Sequence, residues 1–280
     1  MVFRRTIVLL LVLGACRNAP PPRATAPAAP ADSQMPGGPL GAAVRRGQAL
    51  VLATRDSLPG HVGNALRCVS CHLDEGRRPV GSWVGVYGRY PVYRARSATV
   101  ETIEYRVNDC FRRSMNGSAL PVDGADMRDI VAYLAFLSRG AAIGTVAPAA
   151  ASTRWDSLPA DTAAGRVVFD TTCARCHGAE GQGTAAAPPV WGPQSFNIGA
   201  GMSRVRTAAG FIAANMPFDH PGTVSDRQAL AVAAFLAARS RPDFAGKEKD
   251  WPNGDAPVDA AYPTLGKTRA ARGSGGARSR

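Results

Sequence analysis

Aromatic residues make up only 7% of the 280-residue chain, and histidine occurs just four times. Against that scarcity stand 30 glycines and 22 prolines, so loops are plentiful. Acidic side chains are also in deficit, 21 against 33 lysines and arginines, which gives a formal charge of +12. That balance favours anionic partners: small anions, acidic proteins, nucleic acid or anionic lipid. No apolar run of ~18 residues exists beyond the N-terminus, which excludes a multi-span membrane protein. With 45% apolar residues the chain can build packed cores, and its length divides naturally into two small domains.

Arg4 and Arg5 precede a short apolar run, Ile7 to Leu13, which reads as an export signal rather than a membrane span. The run ends in Leu13-Gly14-Ala15-Cys16, a lipobox pattern in which Cys16 is lipidated after cleavage. Lipid there would tether the protein to the periplasmic side of a bacterial envelope without spanning it. The expected order is a signal peptide over 1–15 and an extended, mobile Ala/Pro-rich tether over 16–40. At the other end, residues 248–280 form an extension whose tail, Gly266 to Arg280, holds lysine and arginine but no acid. Disorder is expected for that tail, and export argues against nucleic acid as its partner.

Six cysteines stand at 16, 68, 71, 110, 173 and 176. Four of them fall in Cys68-Val69-Ser70-Cys71-His72 and Cys173-Ala174-Arg175-Cys176-His177, each the C-x-x-C-H of a c-type haem attachment. Two thiols one helical turn apart add to the two vinyl groups of a porphyrin, and the next residue places imidazole on the iron. Structural disulfides suit an exported protein but leave the paired histidines unexplained. Two covalently attached haem c groups are therefore expected.

The motifs lie 105 residues apart and their surroundings repeat. Helical patterns precede them, Ala42 to Asp56 and Asp161 to Thr172; Trp/Gly-rich loops follow at Trp83-Val84-Gly85 and Val190-Trp191-Gly192. Each half closes on an amphipathic helix. Met127, Ile130, Val131, Leu134 and Leu137 have helical spacing in the first, and Ser225-Asp226-Arg227-Gln228 reads as a capping box in the second. The fold class is mainly α: two tandem class I cytochrome c-like domains, over 41–145 and 158–247, joined by a linker at 146–157.

Each iron then needs a ligand opposite its histidine. In the second half Met216-Pro217 follows His177 by 39 residues, a placement similar to the Met-Pro loop of class I cytochrome c; Met202 is its rival. In the first half the near-identical offset of 38 residues from His72 lands on Cys110, with Met115 as competitor. Thiolate donates electron density to iron, whereas Met/His ligation raises the potential. Electrons would then run from the first centre to the second. The remaining histidines, His61 and His220, read as solvated loop residues.

A helix from an N-cap at Thr99 to a stop at Gly117 is expected around Cys110, with Glu101 and Glu104 near its positive end. It stacks Arg106, Cys110 and Ser114 on one face. Arg89, Arg94, Arg96, Arg112 and Arg113 add positive charge nearby, most of it expected on the solvated surface.

These residues resemble the di-haem thiosulfate dehydrogenase family over about 45–245. The most specific stretch runs from Tyr105-Arg106-Val107-Asn108-Asp109-Cys110 to Phe111-Arg112-Arg113-Ser114-Met115-Asn116-Gly117, followed by Leu120-Pro121. Gly63-Asn64-Ala65-Leu66, Trp83-Val84-Gly85-Val86-Tyr87 and Trp191-Gly192-Pro193-Gln194-Ser195-Phe196-Asn197 add to it. The resemblance implies oxidation of two thiosulfates to tetrathionate at a His/Cys-ligated haem, with electrons leaving through a His/Met haem to an external redox partner. Carried over by position, Cys110 is the active-site ligand, Arg96, Arg106 and Ser114 are substrate-binding positions, and Met216 ligates the second iron. Some relatives carry Lys immediately before that Met; here the residue is Asn215, so no Lys/Met exchange is implied.

The chemistry of the substrate agrees. Bringing two dianions to about 4 Å costs roughly 4 kcal/mol even in water, and more in a drier site. Forked arginine donors offset that repulsion and orient the oxyanions. Three other readings share the same motifs: a substrate-free, lipid-tethered electron carrier, the same site working as a tetrathionate reductase, and a sulfur-compound binding subunit of a larger complex.

Overall fold

In the computed structural model, residues 28–144, 155 and 160–266 are described. The expected signal peptide, Cys16, the linker other than Trp155 and nearly all of the basic tail lie outside these residues. The described chain is mainly helical and folds as two similar units.

In the first unit, α1 (Gly38–Leu52) packs across α4 (Ala125–Leu137). The short α2 (Thr54–Ser57) follows α1, and α3 (Ile103–Asp109) leans on α4. In the second unit, α5 (Thr162–Val168) leads towards the short α6 (Ala174–His177) and packs across α8 (Asp226–Ala237), and α7 (Val205–Asn215) lies alongside α8. Ser225 and Gln228 form the expected capping box at the start of α8. Asp161 caps α5, its carboxylate accepting from the amides of Ala163 and Ala164 at 2.9 and 3.0 Å.

Both crossings depend on glycine. A Cβ on Gly47 of α1 would sit 1.9 Å from the Asp129 carbonyl oxygen, and one on Gly165 of α5 would sit 2.0 Å from that of Ala231. The equivalence extends to the attachment loops. Gly76 and Gly181, each four residues beyond the motif histidine, have positive φ and lie flat against Trp83 and Trp191. Each half builds its own core, around Phe111, Met127, Tyr133 and Leu137 in the first and around Phe169, Ala209, Val232 and Phe235 in the second.

Three local expectations change. Among the described residues there is one two-stranded sheet, the antiparallel hairpin β1 (Val92–Arg94) and β2 (Thr99–Glu101), with Arg94 opposite Thr99. Thr99 is therefore strand, not helix cap; Thr102 caps α3, its hydroxyl accepting from the Tyr105 amide at 3.3 Å. The helix expected through Gly117 is also not uniform. α3 passes at Cys110 into a π-turn, Cys110–Ser114, closed by the Met115 amide on the Cys110 carbonyl at 3.0 Å. Finally, the tether is not mobile throughout, because its last residues dock. Asp32 pairs with Arg77 and accepts from Gln48 at 2.9 Å, and Met35 packs on the first core.

The units are laced together by the loop after Trp191. Asn64 donates to the carbonyls of Ser114 at 2.9 Å and Ser195 at 3.0 Å, and Asn116 donates to Ser195 at 2.8 Å. Asn197 answers from the other side, donating to the Arg112 carbonyl at 2.9 Å, while Phe196 packs against the first core.

Candidate active site

The two attachment turns have matching geometry. His72 Nδ1 lies 2.7 Å from the Gly81 carbonyl, and His177 Nδ1 lies 2.7 Å from the Pro188 carbonyl. Each contact fixes the ring with Nδ1–H donating, which leaves Nε2 as the free lone pair for a metal. Trp83 stacks on His72 with centroids 4.6 Å apart. Burial pushes His72 down to about 4, despite the Gly81 contact and with help from Arg106, so the imidazole is neutral at ordinary pH. His177 is shifted down for the same first reason.

Cys68, Cys71, Cys173 and Cys176 are free thiols, half-buried in pairs beside these histidines. Burial pushes Cys68 and Cys71 up to about 12 and Cys173 up to about 11. Buried, unlinked thiol pairs next to an oriented, neutral imidazole suit covalent haem attachment, and an oxidised pair would not. The donor set fits the group in both halves.

Cys110 lies close enough to Cys68 and Cys71 to contribute to their upward shifts. It opens the π-turn, a feature that recurs at functional sites because it re-aims side chains. Its competitor Met115 is only 2% exposed and packed into the first core. Arg106 Nη1 lies 3.2 Å from the Cys110 sulfur and 3.4 Å from Asp109. The guanidinium is held above its ordinary range, first by Cys110 and then, against burial, by Asp109. Ser114 ends the π-turn, with its carbonyl held by Asn64.

Arg96 comes from the hairpin turn between β1 and β2. Its Nη1 donates to the Gly199 carbonyl at 2.7 Å, and its guanidinium carbon lies 4.6 Å from the centre of the Trp251 ring. Burial lowers its pKa, with Tyr262, Asp109 and Asp250 working in the opposite direction.

Sequence reasoning did not find the residues that join these arginines. Arg113, in a run expected mostly on the surface, is partly buried and makes a forked pair with Asp250 at 2.7 and 2.8 Å. It also pairs with Asp109, so a chain of contacts runs Cys110–Arg106–Asp109–Arg113–Asp250–Arg96. The one available signal was Asp250-Trp251-Pro252-Asn253-Gly254, an aromatic beside turn residues in a stretch assigned no role. Of the histidines read as bland, His220 is exposed beside Asp219 and His61 contacts Ser118 in a loop.

In the second unit both candidate methionines pack on the core. Met216 follows α7 in extended conformation, and Met202 lies in a 3-10 turn, Gly201–Ser203.

The fold and these turns define a protein of two tandem c-type cytochrome domains. Residues 61–143 match the model of the SoxA/TsdA cytochrome c domain, and residues 160–236 match that of the cbb3-type cytochrome c oxidase subunit III. The thiosulfate dehydrogenase of Psychrobacter arcticus is 41% identical over 238 residues, 82% of this chain and 73% of that protein. That of Allochromatium vinosum is 41% identical over 248 residues, 84% of this chain and 92% of that protein. The structure of thiosulfate dehydrogenase (TsdBA) from Marichromatium purpuratum superposes with a TM-score of 0.71 at 36% identity, covering 78% of this chain and 50% of that one. The chain belongs to the thiosulfate dehydrogenase family.

Proposed function

We propose that this chain is an exported di-haem cytochrome c that oxidises two thiosulfates to tetrathionate. Cys68 and Cys71 would hold the first haem, with His72 and Cys110 as the side chains available to its iron; Cys173 and Cys176 would hold the second, with His177 and Met216 in the same roles. When bound, the haems would supply one-electron acceptors for the oxidation.

The chain's own residues do the rest. Arg96, Arg106 and Ser114 bind the sulfonate oxygens, and the fixed guanidiniums offset the repulsion between two dianions. Arg106 also steadies negative charge on the Cys110 sulfur. Cys110 sulfur bonds to the sulfane sulfur of one thiosulfate as two electrons depart, giving a cysteine–S–SO3⁻ adduct through that sulfane sulfur. A second thiosulfate attacks the same sulfane sulfur; the bond to Cys110 breaks, tetrathionate leaves and the cysteine thiolate returns. Electrons pass to the second unit and then to an external redox partner. The export-signal pattern and the lipobox at Cys16 support a periplasmic, lipid-tethered location for this chemistry.

The observation that carries the reading is the Arg106 guanidinium 3.2 Å from the Cys110 sulfur beside the first attachment turn. The test is a thiosulfate:ferricyanide assay on haem-loaded protein beside Cys110→Ala. Tetrathionate should form with the wild type and be lost in the variant. Near-normal turnover in a Cys110→Ala protein with both haems present would sink the mechanism, and a wild type inert to thiosulfate would leave an electron carrier.

A further inference from the structure

The chain does not end functionally at the second cytochrome domain. Beyond α8 it runs back across the first unit. Ile198 donates to the Pro242 carbonyl at 2.9 Å, Arg113 stacks over Phe244 at 4.3 Å, and a 3-10 turn, Lys247–Lys249, delivers Asp250 and Trp251 to Arg96. Trp251 is 5% exposed and Asp250 6%, so this strap is buried against the site.

We infer that Asp250 and Trp251 are positioning residues for anion binding: they hold Arg96, and through Arg113 and Asp109 its companion Arg106, in the geometry that receives the substrate dianion. The inference rests on the proposed substrate and extends it to a segment outside both cytochrome domains.

Three observations converge on it. The Trp251 amide donates to the Arg96 carbonyl at 2.8 Å while its ring covers one face of the same residue's guanidinium, so both ends of Arg96 are fixed by one residue. Trp251 does this at φ +52°, a left-handed conformation that a bulky side chain rarely adopts and that persists only where the surroundings impose it. Asp250 is shared: it forks onto Arg113, lies 3.9 Å from Arg96 Nε and accepts from the Tyr262 hydroxyl. The arginines 96, 106 and 113 are thus joined through Asp109 and Asp250, with Arg106 also facing the Cys110 sulfur, so the strap fixes guanidiniums whose planar donors suit an oxyanion.

The test uses haem-loaded full-length protein carrying Trp251→Leu, Trp251→Phe or Tyr262→Phe. Thiosulfate affinity is read twice: as KM in the ferricyanide assay, and as Kd by calorimetry on ascorbate-reduced protein, where the substrate binds without being oxidised. Trp251→Leu should raise both by about tenfold or more with kcat within about twofold, because lost anion positioning is lost uniform binding. Trp251→Phe, which keeps a ring under Arg96, should recover most of the affinity; Tyr262→Phe, which frees Asp250 by one hydrogen bond, should cause a smaller rise. Wild-type Kd in Trp251→Leu overturns the inference, as does a fall in kcat at unchanged KM, or a Trp251→Phe protein no better than Trp251→Leu. The calorimetric arm stands apart from turnover: a wild type that binds thiosulfate but forms no tetrathionate would refute the proposed reaction and still test the strap.

Discussion

Arg106 and Cys110 meet one turn apart on the helix that enters the π-turn, guanidinium nitrogen to sulfur at 3.2 Å. Negative charge on that sulfur is the charge that appears when tetrathionate departs, so a fixed cation there acts on the transition state more than on bound substrate. Arg106→Gln should therefore lower kcat/KM by about 10²–10³. Arg106→Lys should fall between, since it keeps the charge but loses the planar guanidinium whose Nη1 reaches both Cys110 and Asp109. Steady-state kinetics with thiosulfate and ferricyanide, at matched haem content, check both.

The loop around Ser195 holds the two units in register, and Asn64 is its main clasp. Both amide hydrogens of Asn64 are used, on Ser114 and Ser195, and its oxygen accepts from the Leu66 amide at 3.0 Å. Asn64→Ala would strip the Ser114 carbonyl and the Leu66 amide of these partners, with Asn116 still donating to Ser195, at a cost of about 1–3 kcal/mol. Denaturant unfolding of the haem-loaded variant should show that loss. Its single transition should also broaden or split as the units uncouple.

Much of this architecture was legible in the sequence. The paired C-x-x-C-H turns, the closing helices and the Ser225 cap follow from local patterns that the fold obeys. The hairpin at 92–101 was not legible, because three-residue strands among arginines carry too little alternation, and Thr99 and Thr102 both offer a capping hydroxyl three residues apart. Arg113 and Asp250 were hidden for a different reason. They are 137 residues apart in sequence, and only tertiary folding turns a surface-looking arginine into a part-buried ion pair. The Arg106–Cys110 contact was legible because it is local, within one helical turn; the Trp251–Arg96 contact was not, because its partners are far apart in sequence.

The repeated glycine crossing makes a symmetric prediction. Gly47→Ala and Gly165→Ala each drive a methyl group into a carbonyl of the facing helix, Asp129 in one half and Ala231 in the other. Backbone cannot move aside as a flexible side chain can, so each substitution should cost about 1–3 kcal/mol by overpacking. Thermal unfolding followed at each haem should show the damage in the half that carries the substitution. Equal loss from a control Gly60→Ala, whose surroundings are open, would contradict this account.

Met216 stands between two residues that touch the first unit. Asn215, 1% exposed, donates to the Val80 carbonyl at 3.4 Å, and Arg78 lies over the Phe218 ring at 4.8 Å. Val80 in turn precedes Gly81, whose carbonyl orients His72. The loop that carries Met216 is thus anchored against the loop that orients the first histidine, the place where an electron leaving the first centre should enter the second. Met202 packs on the second core from its 3-10 turn, three residues beyond Gly199, whose carbonyl accepts from Arg96 rather than from the loop that orients His72. Replacing a thioether ligand removes the group that raises the potential of a His/Met centre. Met216→Ala should therefore lower the potential of one haem and change its spectrum, with the other haem unaltered, whereas Met202→Ala should leave both potentials in place. Spectroelectrochemical titration of the two variants decides between the methionines, and a shift in Met202→Ala alone would reverse the assignment.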